Sequence, residues 1–235
     1  MKSDSGLMAK AIGLGNLGVV APHKVKYYNR YDIDWLIKSI NSGKQLRYVA
    51  FWHEGEEYPN HYFSQWYQGE PFFVNGRSYI TAEQFMMSEK ALLFKDLYRY
   101  SQIMEEPSPK KCKDLGRLVS GFDSQTWDNE LREIIFHGNL GKFQSDITLV
   151  DALLNTENAV LVEASPYDGI YGAGLAECDL LNSDGTLKVM PKDWKNPKDG
   201  KQATNHLGFV LMGIRDLFQQ LMGYSWRPGE EYQLL

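Results

Sequence analysis

Cysteine is scarce in this chain: of 235 residues only Cys112 and Cys178 carry thiols, too few for a disulfide framework and without the spacing of a zinc site. Long apolar runs are missing as well. No stretch approaches the roughly 18–20 residues that span a bilayer, so nothing reads as a transmembrane helix. Basic residues are not in excess: 25 Lys and Arg against 30 Asp and Glu leave a net charge of −5, which argues against a generally basic nucleic-acid-binding surface. His23, His53, His61, His137 and His206 form no pair with metal-ligand spacing, so neither a metal nor another cofactor is expected. Repeats, heptads and an interdomain linker are also absent. The mildly apolar Ala11–Val20 is interrupted by Gly13, Gly15 and Gly18 and has no small-residue cleavage site after it, so it reads as a loose or docked extension rather than a signal peptide. A reducing, cytoplasmic setting is the expectation.

What is present is ordinary for a folded protein, 43% hydrophobic and 23% charged residues in 27.0 kDa, enough for one large domain. Asp32 or Asp34 can cap a short helix through Trp35, Leu36, Ile37 and Ile40 that Gly43 closes. Leu46–Trp52 is rich in β-branched and aromatic residues and reads as a strand. Phe72–Val74 and Arg77–Ile80 flank Asn75-Gly76, the strongest short hairpin signal, because both central positions of a type I′ turn need positive φ. Ser108-Pro109 supplies an N-cap and first-turn proline for a helix ending near Gly116-Arg117. Asp123 or Ser124 caps another, with Trp127, Leu131, Ile134 and Ile135 on its apolar face and a break expected near Gly138 and Gly141. Asp146 begins a third, Ala159–Ala164 is an apolar strand, and Asn205 caps a last helix, apolar nearly all round. Between them the polar, turn-rich stretch 175–204 reads as a functional flap or an insertion.

The stretch Tyr79–Lys95 carries the chemistry. Thr81 can accept from the first orphan amides while Gln84 reaches back to the cap amide, so a helix starts at Ala82. At about 100° per residue, Met86, Leu97, Leu93, Lys90, Glu83, Phe94 and Met87 share one arc, with Gln84, Ser88, Ala91 and Lys95 opposite. Glu83 and Lys90 thus lie within the apolar stripe, roughly 10 Å apart along the axis. Partial desolvation there raises a Glu pKa and lowers a Lys pKa, which suits acid–base or nucleophilic work. A second reading stays open, a helix edge where Lys90 snorkels and Glu83 complements the dipole.

The pattern Thr81-x-Glu83 followed by Lys90-Ala91 resembles the signature helix of the NADAR (YbiA-like) N-glycosidases. Further segments extend the resemblance in order. They are Gly116-Arg117, Trp127, Gly141-Lys142-Phe143, Leu161-Val162-Glu163-Ala164, the loop Asp168-Gly169-Ile170-Tyr171-Gly172-Ala173-Gly174, and Asn205-x-Leu207-Gly208-x-x-Leu211-Met212-x-x-Arg215. The match runs from about Phe63 to Leu217. It implies a mainly helical α+β single domain with a small antiparallel sheet, YbiA-like, over 46–225, with an N-terminal extension at 1–45 and a C-terminal tail at 226–235.

The activity implied is hydrolysis of a bond between a nitrogenous base and ribose. Such cleavage passes through a cationic, oxocarbenium-like sugar, which a carboxylate stabilises; Glu83 and Asp168 are the candidates. The resemblance further suggests Lys90 as a nucleophile toward an aldehyde exposed by ring opening. Trp127 and Tyr171 could stack on the base, Arg117, Lys142 and Arg215 could contact phosphates, Gly172 and Gly174 would let backbone approach a ligand, and Asn205 joins the binding residues. Bland readings stand beside these: Trp127 as core, Asp168 as the acceptor of an Asx turn, and Glu163 as a salt-bridge partner of Arg117 or Arg215. Tyr171 departs from the family's tryptophan, and the extension and the 175–204 stretch have no counterpart in its shortest members. The substrates implied are ADP-ribose on guanine, preferred, and phosphorylated ribosylamino-pyrimidines of riboflavin synthesis. The partner is therefore a small nucleotide or ADP-ribosylated guanine, with nucleic-acid contact possible through His23-Lys24-Val25-Lys26 and Lys110-Lys111-Cys112-Lys113, and no membrane. The alternative is a non-catalytic module that binds ADP-ribose-like ligands.

Overall fold

Both central residues of the Asn75-Gly76 turn adopt left-handed backbone, φ 54° and 73°, and the runs beside it pair antiparallel, Phe72 with Tyr79, Phe73 with Ser78 and Val74 with Arg77. The hairpin forms because its turn residues tolerate the conformation that matches strand twist. The structure, a computed structural model, describes residues 25–27, 30–221, 224–225 and 233–234. Most of the N-terminal extension, including His23 and Lys24, and the tail at 226–232 and 235 lie outside the described residues.

In chain order the elements are α1 (Ile33–Asn41), β1 (Tyr48–Phe51), β2 (Phe72–Val74), β3 (Arg77–Tyr79), α2 (Ala82–Leu93), α3 (Leu97–Glu105), α4 (Pro109–Arg117), α5 (Ser124–Gln144), α6 (Ile147–Leu154), β4 (Val160–Glu163), α7 (Glu177–Leu180), α8 (His206–Leu221), β5 (Tyr224–Ser225) and β6 (Gln233–Leu234). The architecture is α+β and mainly helical, with antiparallel pairing at β2–β3 and β5–β6. The described residues form two units, one of 25–27 and 65–150, the other of 30–64, 151–221, 224–225 and 233–234.

In the first unit α2 starts at Ala82 as expected, with Thr81 Oγ1 accepting from Gln84 N at 3.1 Å. Gln84 Oε1 takes Ile80 N at 2.9 Å, one residue before the cap rather than the cap amide itself. The expected polar face of this helix is corrected: Gln84, Ser88 and Ala91 are buried with Phe85, Met86 and Met87, and only Lys95 lies outside. The cause is packing from β3, α3, α4 and α5, which surrounds α2. Gln84 Nε2 is accommodated by donating to Ile103, Met104 and Glu106 carbonyls at 3.1–3.3 Å, the orphan acceptors at the end of α3. Leu97 does not share the α2 arc. Lys95 turns left-handed at φ 60°, Asp96 accepts from Arg99 N at 3.0 Å, and Leu97 opens the separate helix α3 with its side chain exposed. That cap was present in the sequence, and α3 is the helix that periodicity missed.

The break expected in α5 does not occur; Ser124–Gln144 is one helix of 21 residues. Its glycines serve close packing instead. A Cβ on Gly138 would run into the Phe85 ring, and one on Gly141 into Val74 and Phe72, which with Tyr79 form a buried cluster flanked by Met104 and Ile134. Gly116 does the same for α4, where a Cβ would strike Met87.

In the second unit β1 and β4 pair in parallel, Tyr48 with Val160 through Phe51 with Glu163. Parallel neighbours need a long crossover, and here the connection holds most of the first unit. Asp32 caps α1, accepting from Trp35 N at 2.7 Å, and Gly43 follows at φ 81°. Helix α8 packs on β4, with Leu207 through Met212 buried, and Gly208 lies where a Cβ would meet Leu161 O. The stretch 175–204 is not structureless. Trp194 is fully buried and donates to Val189 O at 3.0 Å, while Gln202 Nε2 donates to the carbonyls of Pro191, Trp194 and Ala203. Half-buried Asp216 accepts from Tyr31 at 2.8 Å and Arg30 at 3.2 Å; desolvation raises its pKa while these partners oppose the rise.

The glycine contacts give a direct test. Alanine at 138 gains up to about 1 kcal/mol of helix propensity but overpacks a core site, a cost of about 1–3 kcal/mol. Gly138→Ala is therefore expected to lower the urea midpoint, and the loss should shrink in a Phe85→Leu background; additive effects would show that the ring is not what the methyl meets.

Candidate active site

Glu83 occupies the first turn of α2, where the helix dipole favours a carboxylate, and it is buried at 2% exposure. Its amide donates to Gln65 O at 3.0 Å, which satisfies one of the helix's orphan donors. Gln65 is itself buried, and its Oε1 accepts from Asn139 Nδ2 at 2.9 Å. Asn139 also donates to Ile135 O at 2.9 Å from inside the apolar face of α5. This buried amide pair escaped the sequence reading. Its signal was an asparagine eight residues after Leu131 and four after Ile135, on the stripe that should have been wholly apolar.

Two turns along α2 from Glu83, Lys90 is half-buried, its Nζ 4.2 Å from the centre of the Phe122 ring and 5.4 Å from that of Trp127. Burial pushes the Lys90 pKa down, the Arg117 guanidinium pushes it further down, and Glu83 pushes it back up. The helix thus puts carboxylate and amine within electrostatic reach of each other, as the seven-residue spacing implied. Trp127 is buried at 7% and flanks the amine as well as the core. Phe122, 46% exposed in the turn between α4 and α5, was not foreseen, because a lone aromatic beside Gly121 has no periodic signal.

Arg117 ends α4 exposed to solvent and binds Asp114 Oδ1 at 2.7 Å. Lys142 is buried in the last turn of α5, with Nζ 4.9 Å from the Phe143 ring centre and 5.6 Å from that of Tyr67, and burial pushes its pKa down to about 7. An ammonium so placed is easily neutralised. Cys112 is buried too, its thiol pushed up to about 12 by burial, Glu106 and Glu83, which leaves it protonated at neutral pH. Of the basic strip, Lys110 and Lys111 are exposed on α4, with Lys111 3.8 Å from Glu106.

The remaining sequence candidates lie in the second unit. Asp168 Oδ1 accepts from Ile170 N and Tyr171 N, both at 3.0 Å, so the Asx-turn reading holds for that oxygen. Tyr171 is half-buried and its carbonyl accepts from Leu207 N at 3.0 Å. Gly172 and Gly174 permit close approach to the chain's own backbone: Cβ atoms there would meet the Glu163 and Lys195 carbonyls. Asn205 precedes α8 at φ 47°, but its side chain does not cap the helix as expected. Nδ2 donates to Leu161 O at 2.9 Å and Oδ1 accepts from Glu163 N at 3.0 Å, which ties the start of α8 to β4. Arg215 is buried and donates to Thr156 Oγ1 at 2.7 Å and Ala159 O at 2.9 Å, a structural placement for a side chain expected at phosphate. Among the described residues no group of three or more His, Cys, Asp or Glu could hold a metal ion. No described helix is long and apolar enough to cross a membrane.

The sequence profile of the NADAR domain matches residues 50–219, more than half of the chain. The chain belongs to the NADAR family. It is similar to an N-glycosidase of Acanthamoeba polyphaga mimivirus, 38% identical over 164 residues that cover 68% of this chain and 89% of the relative. An N-glycosidase of Nostoc punctiforme is 25% identical over 62% of this chain and 78% of its own, and Protein irg-1 of Caenorhabditis elegans 33% identical over 57% and 58%. The NMR structure of the Escherichia coli protein YbiA shares the fold at a TM-score of 0.55 and 22% identity, covering 75% of this chain and 88% of that one. Family and relatives together assign this NADAR protein to the N-glycosidases, enzymes that hydrolyse N-glycosidic bonds.

The signs of the Lys90 shifts are testable by following the side-chain resonance of Lys90 against pH. Removing the cation in Arg117→Gln should move its titration midpoint up, and Glu83→Gln should move it down. Midpoints that do not move would mean the three groups do not act on one another.

Proposed function

We propose that this NADAR enzyme hydrolyses the N-glycosidic bond of ADP-ribosylated guanine, with Glu83 as general acid/base or electrostatic stabiliser and Lys90 as nucleophile. The observation that carries the reading is the mutual influence of Glu83 and Lys90 on α2, with the amine set beside two aromatic rings. As the base leaves, positive charge develops on the sugar, and a buried carboxylate stabilises it far better than one in water. Water then bonds to the anomeric carbon in place of the base, its proton passing to the carboxylate that protonated the departing base, and opening of the resulting ribose ring exposes an aldehyde there. The neutral Lys90 amine adds to that carbon, water departs, and the protonated imine carries the charge at the same nitrogen until water returns and releases the sugar. Burial and Arg117 supply what this needs, an amine that loses its proton more readily than a free lysine.

A purine offers the larger flat face to an indole such as Trp127, which flanks the Lys90 amine, and this supports guanine over the phosphorylated ribosylamino-pyrimidines as leaving group. Arg117 remains the candidate for a phosphate. The exposed Lys110 on α4 would add nucleic-acid contact if the guanine sits in a polymer, and binding would then weaken steeply with salt.

Release of guanosine from ADP-ribosyl-guanosine, followed chromatographically beside the ribosylamino-pyrimidine phosphate, tests the proposal. The guanosine substrate should turn over, Glu83→Gln should lose about 10²–10⁴-fold in kcat, and Lys90→Ala should lose activity together with the sugar adduct that borohydride reduction traps in the parent. Turnover of the pyrimidine alone would move the substrate to the second class, and full activity in Glu83→Gln would remove that residue from the chemistry.

A further inference from the structure

We propose that Phe122 is the positioning residue of the Lys90 amine, its ring face seating the cation that stands at Nζ. The inference rests on the role given to Lys90 above and goes beyond it, since Phe122 belongs to no helix and to none of the motifs that mark the family in this sequence.

The geometry is built from both sides. Phe122 follows Gly121, whose φ of 67° turns the chain, and the turn is anchored one residue earlier: Ser120 N and Oγ both donate to Asp96 Oδ2 at 2.9 Å. Asp96 in turn holds Arg99 N at 3.0 Å, and these amides keep its carboxyl below the usual range, so the anchor is charged at neutral pH. The ring also meets Phe94 edge-on at 5.3 Å, and Phe94 stands four residues beyond Lys90, on the same side of the chain as it leaves α2. Phe122 is thereby fixed against the ridge that carries the amine, with Nζ at 4.2 Å from its centre, closer than Trp127 at 5.4 Å.

The charged groups acting on Lys90 are Glu83 from its own helix and Arg117 from α4. Those of the neighbouring segments are engaged elsewhere: Asp96 with Ser120 and Arg99, and Asp123 with Thr126 N at 2.8 Å and Thr126 Oγ1 at 2.7 Å. The ring quadrupole is therefore the contact that holds a positive nitrogen in one place while burial eases its deprotonation. In the reaction proposed here the nitrogen is cationic twice, as ammonium and as protonated imine, and the same ring face serves both.

The test uses the full chain with isotopically labelled lysine, Lys90 assigned through Lys90→Arg, and compares the parent with Phe122→Leu and Phe122→Tyr. Leucine keeps an apolar cover but has no ring face, and at 46% exposure the site tolerates it. In Phe122→Leu the Lys90 midpoint should fall by about half a unit to one unit, while Phe122→Tyr leaves it where it was. With ADP-ribosyl-guanosine, kcat should fall about five- to tenfold in Phe122→Leu at little change in KM, and recover in Phe122→Tyr. A midpoint in Phe122→Leu equal to or above the parent's overturns the inference. Full activity in Lys90→Ala would instead overturn the role given to Lys90, and the titration would still decide whether the ring seats the amine.

Discussion

A buried helix must satisfy its polar groups from within the protein, because water is not there to do so, and α2, buried from Ala82 through Ser88 and half-buried at Glu89 and Lys90, carries Glu83, Gln84, Ser88, Glu89 and Lys90. Each is handled differently. Gln84 closes the chain before the helix and the carbonyl end of α3, and Ser88 returns its hydroxyl to Phe85 O at 2.8 Å. Burial raises the Glu89 pKa while Arg77 opposes it. Glu83 raises the Lys90 pKa against the burial that lowers it, in a partly dry setting where a carboxylate and an amine become chemically useful.

The close cover depends on glycine. Gly116, Gly138 and Gly141 let α4 and α5 come near enough to α2 and the β2–β3 hairpin that the Phe85 ring, Met87 and Val74 take the space of the missing side chains. The desolvation that lowers the Lys90 pKa is thus a consequence of helix approach. The same approach turns a polar-looking helix face into a buried one, which no local pattern in α2 announces.

The second unit rests on a comparable economy. Asn205 joins β4 to α8 with one side chain, and the glycines of the 168–174 loop lie against backbone of the same unit. Residues that a motif marks for binding therefore also have clear structural work. Asp168 and Gly174 illustrate it, the one forming an Asx turn and the other at φ 70° beneath Lys195 O.

Local chemistry determined a good deal. The Asn75-Gly76 hairpin, the caps at Asp32, Thr81, Ser108 and Asp123, the start of α2 at Ala82 and the burial of α8 were all legible, because each depends on residues within a few positions of one another. So was the placement of Glu83 and Lys90 two turns apart, and with the ordered motifs the family itself. What only tertiary structure decided is everything that depends on distant segments meeting. Such meetings bury Gln84, Ser88 and Ala91, keep α5 whole through its glycines, and pair β1 with β4 in parallel. They also carry Asn205's amide to β4 and bring Phe122 over an amine 32 positions earlier in the chain. A periodic pattern reports which way a side chain points, but whether protein or water lies in that direction is settled by the packing of the other elements.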